Sequence, residues 1–405
     1  MAFFMGRKIT PKCASGEWEK HIILQGTPCD SNDLDPYFGE EFLVVRCLTA
    51  MKPKPRVVPD FLPTPREIFE FLDLRVVGQT QAKRTLSIAA YNHLKRCQQW
   101  TSKGRTPLRK SNILLMGPTG CGKTHLARTL AEFLDVPFSV ADATEYTEAG
   151  YYGKDVEVLM GELLQKVHGD VKHAQQGIVF IDEVDKIARR SSSARTGAGS
   201  RDIGGEGVQQ ALLKLLEGRE IYVPQNVTQH WNKHDFVTFD TTNVLFICAG
   251  TFSDLYLCDE THSVGFGTQK AVHQRARAIT EKNLLDYGLM AEFIGRLPVR
   301  VQLDPLSEDD LVRVLRDPPD ALVKEYTSLL AMDGVDLCLE EGALREIARF
   351  ALRHETGARM LRGAIEGLCQ DLMFEAPEKR GQTVVVDAAQ ACAQLEGLGA
   401  ATRSR

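Results

Sequence analysis

Between residues 62 and 304 the apolar positions follow two alternating patterns. From Gln81 to Arg96, the residues Ala82, Leu86, Ala89, Ala90 and Leu94 form one stripe, which predicts an amphipathic helix. Ile113–Met116, Ile178–Ile181 and Val244–Cys248 are short unbroken apolar runs, which predict strands buried on both faces. Such strands separated by helices predict an α/β domain with a parallel sheet covered on both sides. After Pro305 the pattern turns helical and ends near a strand-like Val384–Val386, which predicts a smaller, mostly helical domain over 305–395. Residues 1–50 form a divergent segment without a strong period. Its candidate strands, Ile22–Leu24 and Phe42–Val45, cannot bury a core alone. Pro53, Pro55, Pro59, Pro63 and Pro65, interleaved with Lys52, Lys54 and Arg56, predict an extended linker over 51–66 that runs into the large domain over 62–304.

Composition narrows this little. In 405 residues, 43% hydrophobic and 25% charged describe an ordinary globular protein, and a net charge of -5 argues against a surface devoted to nucleic acid. No run approaches the roughly 20 apolar residues needed to span a bilayer. Met1–Met5 is followed at once by Gly6, Arg7 and Lys8, so it lacks the apolar core of a secretory signal. A cytoplasmic protein without a membrane partner is expected. The 10 cysteines include no Cys-x-x-Cys pair, so they read as reduced apolar residues. Zinc is not expected, and a zinc site assembled from Cys13, Cys29 and Cys47 is disfavoured.

The chemistry begins at Gly117, Pro118, Thr119, Gly120, Cys121, Gly122, Lys123 and Thr124, a complete G-x-x-x-x-G-K-[ST] loop between a predicted strand and a predicted helix. Its backbone N–H groups and the helix N-terminus suit the phosphates of ATP, Lys123 suits the β- and γ-phosphates, and Thr124 suits Mg²⁺. Downstream, Ile178–Ile181 carries Asp182 to a strand end, where its carboxylate can hold the metal through water. Glu183 stands one residue beyond, placed to polarise the attacking water.

The acidic pair marks AAA+ proteins, and the text around it resembles the ClpX family. The strings that carry the likeness are Leu62–Ile68, Val76–Gln79, Ala141–Thr144, Thr147–Tyr151, Gly205–Leu213, Glu292–Pro298 and Thr356–Arg359. They extend over about 62 to 390. The resemblance implies an AAA+ P-loop core with a helical small domain, working as a homo-hexamer. It also implies that Val76 and Val77 contact adenine, that Arg296 acts on a neighbouring subunit's ATP, and that Arg359 is the sensor arginine of the small domain. Thr251 is a candidate for the first sensor.

Further likenesses imply mechanical work on protein chains. Gly150-Tyr151-Tyr152-Gly153 corresponds to the family's aromatic pore loop, with Tyr152 in place of the usual valine. The Ser-, Gly- and Arg-rich run from Arg189 to Arg201 falls at its second pore loop, although a solvated loop or a nucleic-acid contact fits that composition too. Val264-Gly265-Phe266 lies at the loop that docks on a ClpP-type peptidase. Two departures stand out. Gln229-His230-Trp231 falls where a strongly cationic pore-entrance loop is expected, and the four-cysteine zinc domain that normally precedes the motor is not recognisable. The expected function is ATP-dependent unfolding of protein substrates, some brought by adaptors, for delivery to a peptidase. The rivals are a remodelling chaperone without a protease, a nucleic-acid motor, which the pore tyrosines oppose, and a subunit like HslU, whose large inserted domain has no counterpart in the sequence.

Overall fold

The computed structural model describes residues 62–103, 108–146, 155–189, 205–224, 236–257, 279–354 and 357–403. In chain order the large domain contains α1 (Pro65–Arg75), α2 (Thr80–Lys103), β1 (Ile113–Met116), α3 (Lys123–Leu134), β2 (Phe138–Asp142), α4 (Val158–Lys166), α5 (Val171–Ala174) and β3 (Ile178–Asp182). It continues with α6 (Gly205–Leu216), β4 (Glu220–Pro224), β5 (Phe236–Asp240), β6 (Leu245–Gly250), α7 (Ser253–Leu257), α8 (Glu281–Tyr287), α9 (Ala291–Gly295) and β7 (Val299–Gln302). The helical part that follows holds α10 (Glu308–Arg316), α11 (Leu322–Met332), β8 (Asp336–Leu339), α12 (Glu341–Arg353), α13 (Arg359–Glu375), β9 (Thr383–Val386) and α14 (Ala388–Arg403).

The expected parallel sheet is present, in the order β2-β3-β6-β1-β7. Every pairing in it is parallel, with Ile113 opposite both Ile247 and Val299, and Asp142 opposite Asp182. From β1 the chain crosses over β6 and β3 to reach β2, and β7 finally lies on the other side of β1. The loop that leaves β1 therefore opens at the point where the winding reverses, which is where α/β sheets bind ligands. The strands bury both faces: Leu114, Val179 and Phe246 pack into one cluster, while Ile113, Phe180 and Ile247 pack into the other. β8 and β9 pair in parallel beside a separate core built on Leu311, Ile347, Ile365 and Leu368.

α1 begins with Thr64 and Glu67 capping each other's backbone N–H and with Pro65 in the first turn. α1 is then tied to α2 by Lys83, whose side chain is only 1% exposed. Its ammonium donates to Asp73 Oδ1 at 2.5 Å and to Val76 O at 2.9 Å. Asp73 itself is 56% exposed. Removing the carboxylate strands a buried cation, whereas removing the cation leaves a carboxylate that water can solvate. Asp73→Asn is therefore expected to cost about 2 kcal/mol and Lys83→Met less. Urea midpoints at unchanged slope test that order, and an equal or reversed order would contradict it.

Candidate active site

The phosphate loop leaves β1 under tight constraint. Gly117 N donates to Gly250 O at 3.2 Å, at the end of β6. Leu303 N, just past β7, donates to Met116 O at 2.7 Å. α3 starts directly after Gly122, so its free N–H groups face the loop. Lys123 is buried, and its ammonium donates to Gly117 O at 2.7 Å and Pro118 O at 3.0 Å. The loop's own carbonyls thus hold this cation beside the backbone donors. Cys121 is buried in the same loop, and desolvation raises its thiol pKa, which suits packing rather than reactivity.

The expected metal ligands face each other. Thr124 Oγ1 lies 3.5 Å from Asp182 Oδ2, long for a hydrogen bond, so the hydroxyl and the carboxylate face one another across the strand end. Among the described residues no three His, Cys, Asp or Glu side chains converge on one point. A cation here would complete its shell with water and phosphate, as Mg²⁺ commonly does.

Glu183 follows at φ +58°, a left-handed conformation that disfavours a side chain bearing Cβ. Its N–H donates to Asp182 Oδ1 at 3.0 Å, which holds the turn. Glu183 rims a cavity of about 400 Å³ that Asp142, Glu145, Glu162 and Asp182 also line. Desolvation by that wall, then repulsion from Asp142 and Asp182, raises its carboxyl pKa, with Lys186 pulling the other way. A raised carboxylate is a better general base.

Several supporting residues were not legible in the sequence. Buried Asp185 accepts from Thr251 N at 3.2 Å and from Thr251 Oγ1 at 2.8 Å. Thr251, the first-sensor candidate, therefore sits beside the acidic strand end with its hydroxyl committed to Asp185. Val76 and Val77 are buried in the turn after α1, where His125 of α3 lies 3.4 Å from Arg75 O. The next residues, Gly78 and Gln79, both have positive φ. Gln79 is clamped to Asp304 by reciprocal bonds of 2.7 and 3.0 Å. The expected adenine residues thus hang from the segment that joins β7 to the helical part.

The two expected arginines are placed differently. Arg359 opens α13, and the residue before it, Ala358, donates its N–H to Gly120 O at 3.2 Å. Gly357 approaches so closely that a Cβ there would lie 3.0 Å from Thr119 O, at φ +55°. Arg359 thus stands next to the phosphate loop, exposed and without an ion pair among the described residues. Arg296 ends α9, and Asn112 Nδ2 donates to its carbonyl at 3.0 Å. That places it at the N-terminal edge of β1, while the loop leaves the C-terminal edge. The four residues of β1 separate the two by roughly 13 Å of strand rise alone, so Arg296 does not reach its own chain's loop. Tyr151, Tyr152, Val264, Gly265, Phe266 and Gln229-His230-Trp231 lie outside the described residues, as do residues 1–61 with Cys13, Cys29 and Cys47, and 190–201 of the basic run.

Residues 108–300 match the AAA domain of the Cdc48 subfamily, and 306–386 match the C-terminal, D2-small domain of ClpB protein. The chain is 44% identical over 335 residues, 80% of each chain, to the ATP-dependent Clp protease ATP-binding subunit ClpX of Treponema denticola. It is 45% identical over 332 residues, 82% of each chain, to the ATP-dependent Clp protease ATP-binding subunit ClpX 2 of Wolinella succinogenes. Over 343 residues, 82% of this chain and 83% of the relative, it is 44% identical to the corresponding ClpX subunit of Porphyromonas gingivalis.

The Glu183 environment fixes a pH dependence. Glu183 is the expected base, and a base works deprotonated, so the rate would be lost as pH falls through its pKa, which here is raised. The acid limb of kcat/KM for ATP hydrolysis, which reports the free enzyme, should lie above the ordinary glutamate value of about 4.3. Asp142→Asn keeps a residue able to cap the following turn and removes one repelling charge, so the limb should move to lower pH. A limb that stays in place would assign it to another group.

Proposed function

Because the chain belongs to the ClpX family of AAA+ ATPases, we propose that it works as a homo-hexameric ring that threads protein substrates through its axis to a ClpP-type peptidase. It is an ATPase coupled to protein unfolding. The observation that best supports a ring is the position of Arg296 on the opposite sheet edge from its own phosphate loop. An arginine so placed serves a nucleotide only from a neighbouring copy, and each site is then complete only between two subunits.

The roles of the site residues follow as part of this reading. The loop from Gly117 to Gly122 cradles the phosphates with its N–H groups, and Lys123 neutralises their charge. Val76 and Val77 pack on the adenine. Thr124 and Asp182 would hold Mg²⁺, which would supply charge neutralisation on the transferred phosphoryl group. Glu183 orients and polarises the water that attacks the γ-phosphorus as the bond to the ADP oxygen breaks. Arg296 of the neighbour spreads positive charge over the equatorial oxygens, and Arg359 reports nucleotide state to the small domain. The hydrogen bond between Ala358 and Gly120 supports that coupling, since the start of α13 rests on the loop itself.

Tyr151 and Tyr152 are read as the gripping tip of the pore loop, and Val264-Gly265-Phe266 as the peptidase-docking knob. We place the protein in the cytoplasm. The described cysteines, including the exposed Cys338, are all free, which fits a reducing compartment. Among the described residues no helix is long and apolar enough to cross a membrane.

ATP-dependent degradation of an unfolded, fluorescently labelled protein, with and without a ClpP-type peptidase, tests the reading. Degradation is expected only with ATP and peptidase together. It should vanish in Glu183→Gln through lost hydrolysis, and in Phe266→Ala with hydrolysis retained. Hydrolysis without degradation by the unmutated chain would favour a remodeller that acts without a protease.

A further inference from the structure

Arg296 and Glu217 are held by one buried side chain. Asn112 Nδ2 donates to Leu216 O at 3.1 Å and to Arg296 O at 3.0 Å, so it fixes the backbone beside Glu217 and that of Arg296 together. The end of α6 is secured further by Lys110, whose ammonium donates to Thr241 O at 2.8 Å and Leu215 O at 3.3 Å. Thr241 Oγ1 also donates to Leu215 O at 3.1 Å. From this braced helix end Glu217 carries one oxygen to Arg296 Nη2 at 2.9 Å and the other to Arg219 Nη2. Glu217 is 22% exposed, and Arg296 is 50% exposed.

The contact on Arg296 is single-pronged. Elsewhere the chain forms a full fork, with Arg362 Nη1 and Nη2 donating to both oxygens of Glu325 at 3.0 and 2.8 Å. A fork occupies the guanidinium edge that would meet a phosphate. Glu217 instead takes one N–H, and Arg296 has no other side-chain partner among the described residues. Its remaining donors stay available while the long side chain is aimed, which removes rotamer freedom before a phosphate is met.

We propose that Glu217 is a positioning residue for Arg296, with Arg219 locking the carboxylate that aims it. This rests on the reading of Arg296 as an arginine acting on a neighbour's ATP. Arg219 immediately precedes β4, and Arg219 N and O bond Thr241 Oγ1 and Thr241 N at 3.0 Å each. Arg219 thus ties the aiming carboxylate to the start of the antiparallel β4–β5 pair, by its ion pair with Glu217 on one side and its backbone bonds to Thr241 on the other.

Steady-state ATP hydrolysis by the assembled full chain tests this with Glu217→Gln, Glu217→Ala, Arg296→Ala and the double variant Glu217→Ala/Arg296→Ala. Glu217→Ala is expected to lower kcat about tenfold with KM for ATP within about twofold, since the arginine acts after nucleotide is bound. Glu217→Gln keeps the side-chain shape and should lower kcat less, which preserves the test if the alanine variant fails to assemble. In the Arg296→Ala background the loss of Glu217 should add nothing. Wild-type kcat in both Glu217 variants, or a further full drop in the double variant, would overturn the positioning role while leaving the arginine reading intact. Wild-type kcat in Arg296→Ala would instead overturn the arginine reading, and this proposal with it.

Discussion

A Cβ on Gly117 would come within 2.9 Å of Leu303 Cβ, 3.0 Å of Cys121 Sγ and 3.1 Å of Leu303 O. Real Cβ atoms essentially never come within 3.0 Å of another heavy atom, so the loop leaves β1 pressed against Leu303 in the chain that leaves β7. The hydrogen bonds from Gly117 N to Gly250 O and from Leu303 N to Met116 O fix this crossing from both sides. Three strand ends, of β6, β1 and β7, are thereby locked at the loop. The next residue after Leu303 is Asp304, which clamps Gln79 and with it the Val76–Val77 turn. The phosphate loop and the Val76–Val77 turn thus share one mechanical frame whose tightest point is a missing side chain.

Much of that frame could be read before the fold was known, because its signals are local. The phosphate loop is eight consecutive residues, and the acidic strand end is six in a row, four apolar and then Asp182 and Glu183. The strand and helix that flank the loop announce themselves by period, so the predicted α/β sheet and the helical part after Pro305 match the observed elements. The predicted helix from Gln81 to Arg96 is longer in the structure, Thr80–Lys103: buried Cys97 continues its inner face, and the mostly polar residues beyond it mark no end of their own.

The residues that escaped notice act at long range and carry no period. Gln79 and Asp304 are 225 positions apart, and each is an ordinary polar residue in its own neighbourhood. Asp185 lies in the same acidic string as Asp182 and Glu183, yet only the fold shows that it turns inward to Thr251 while Glu183 turns to the cavity. Asp142 became chemically relevant because β2 pairs in register with β3, which sets Asp142 opposite Asp182. Glu217 reads as the charged end of a helix. Its importance depends on Asn112, a hundred residues earlier, gathering two carbonyls at once.

The two arginines also show how a site can be both rigid and responsive. Arg359 follows directly on the contact between Gly357, Ala358 and the loop at Thr119 and Gly120. Any shift of those loop residues as phosphate is bound or lost is felt at the first turn of α13, without an intervening flexible segment. Arg296 is attached to the other edge of the same strand through Asn112, and β1 transmits its position as a short, fully buried rod. Interiors packed to this density do not absorb displacement smoothly. A change at the loop of one copy therefore has rigid routes to its own small domain and to the arginine it presents outward. In the proposed ring, that outward arginine would belong to the next site, and the strand length that keeps Arg296 from its own phosphate loop would make neighbouring sites depend on one another.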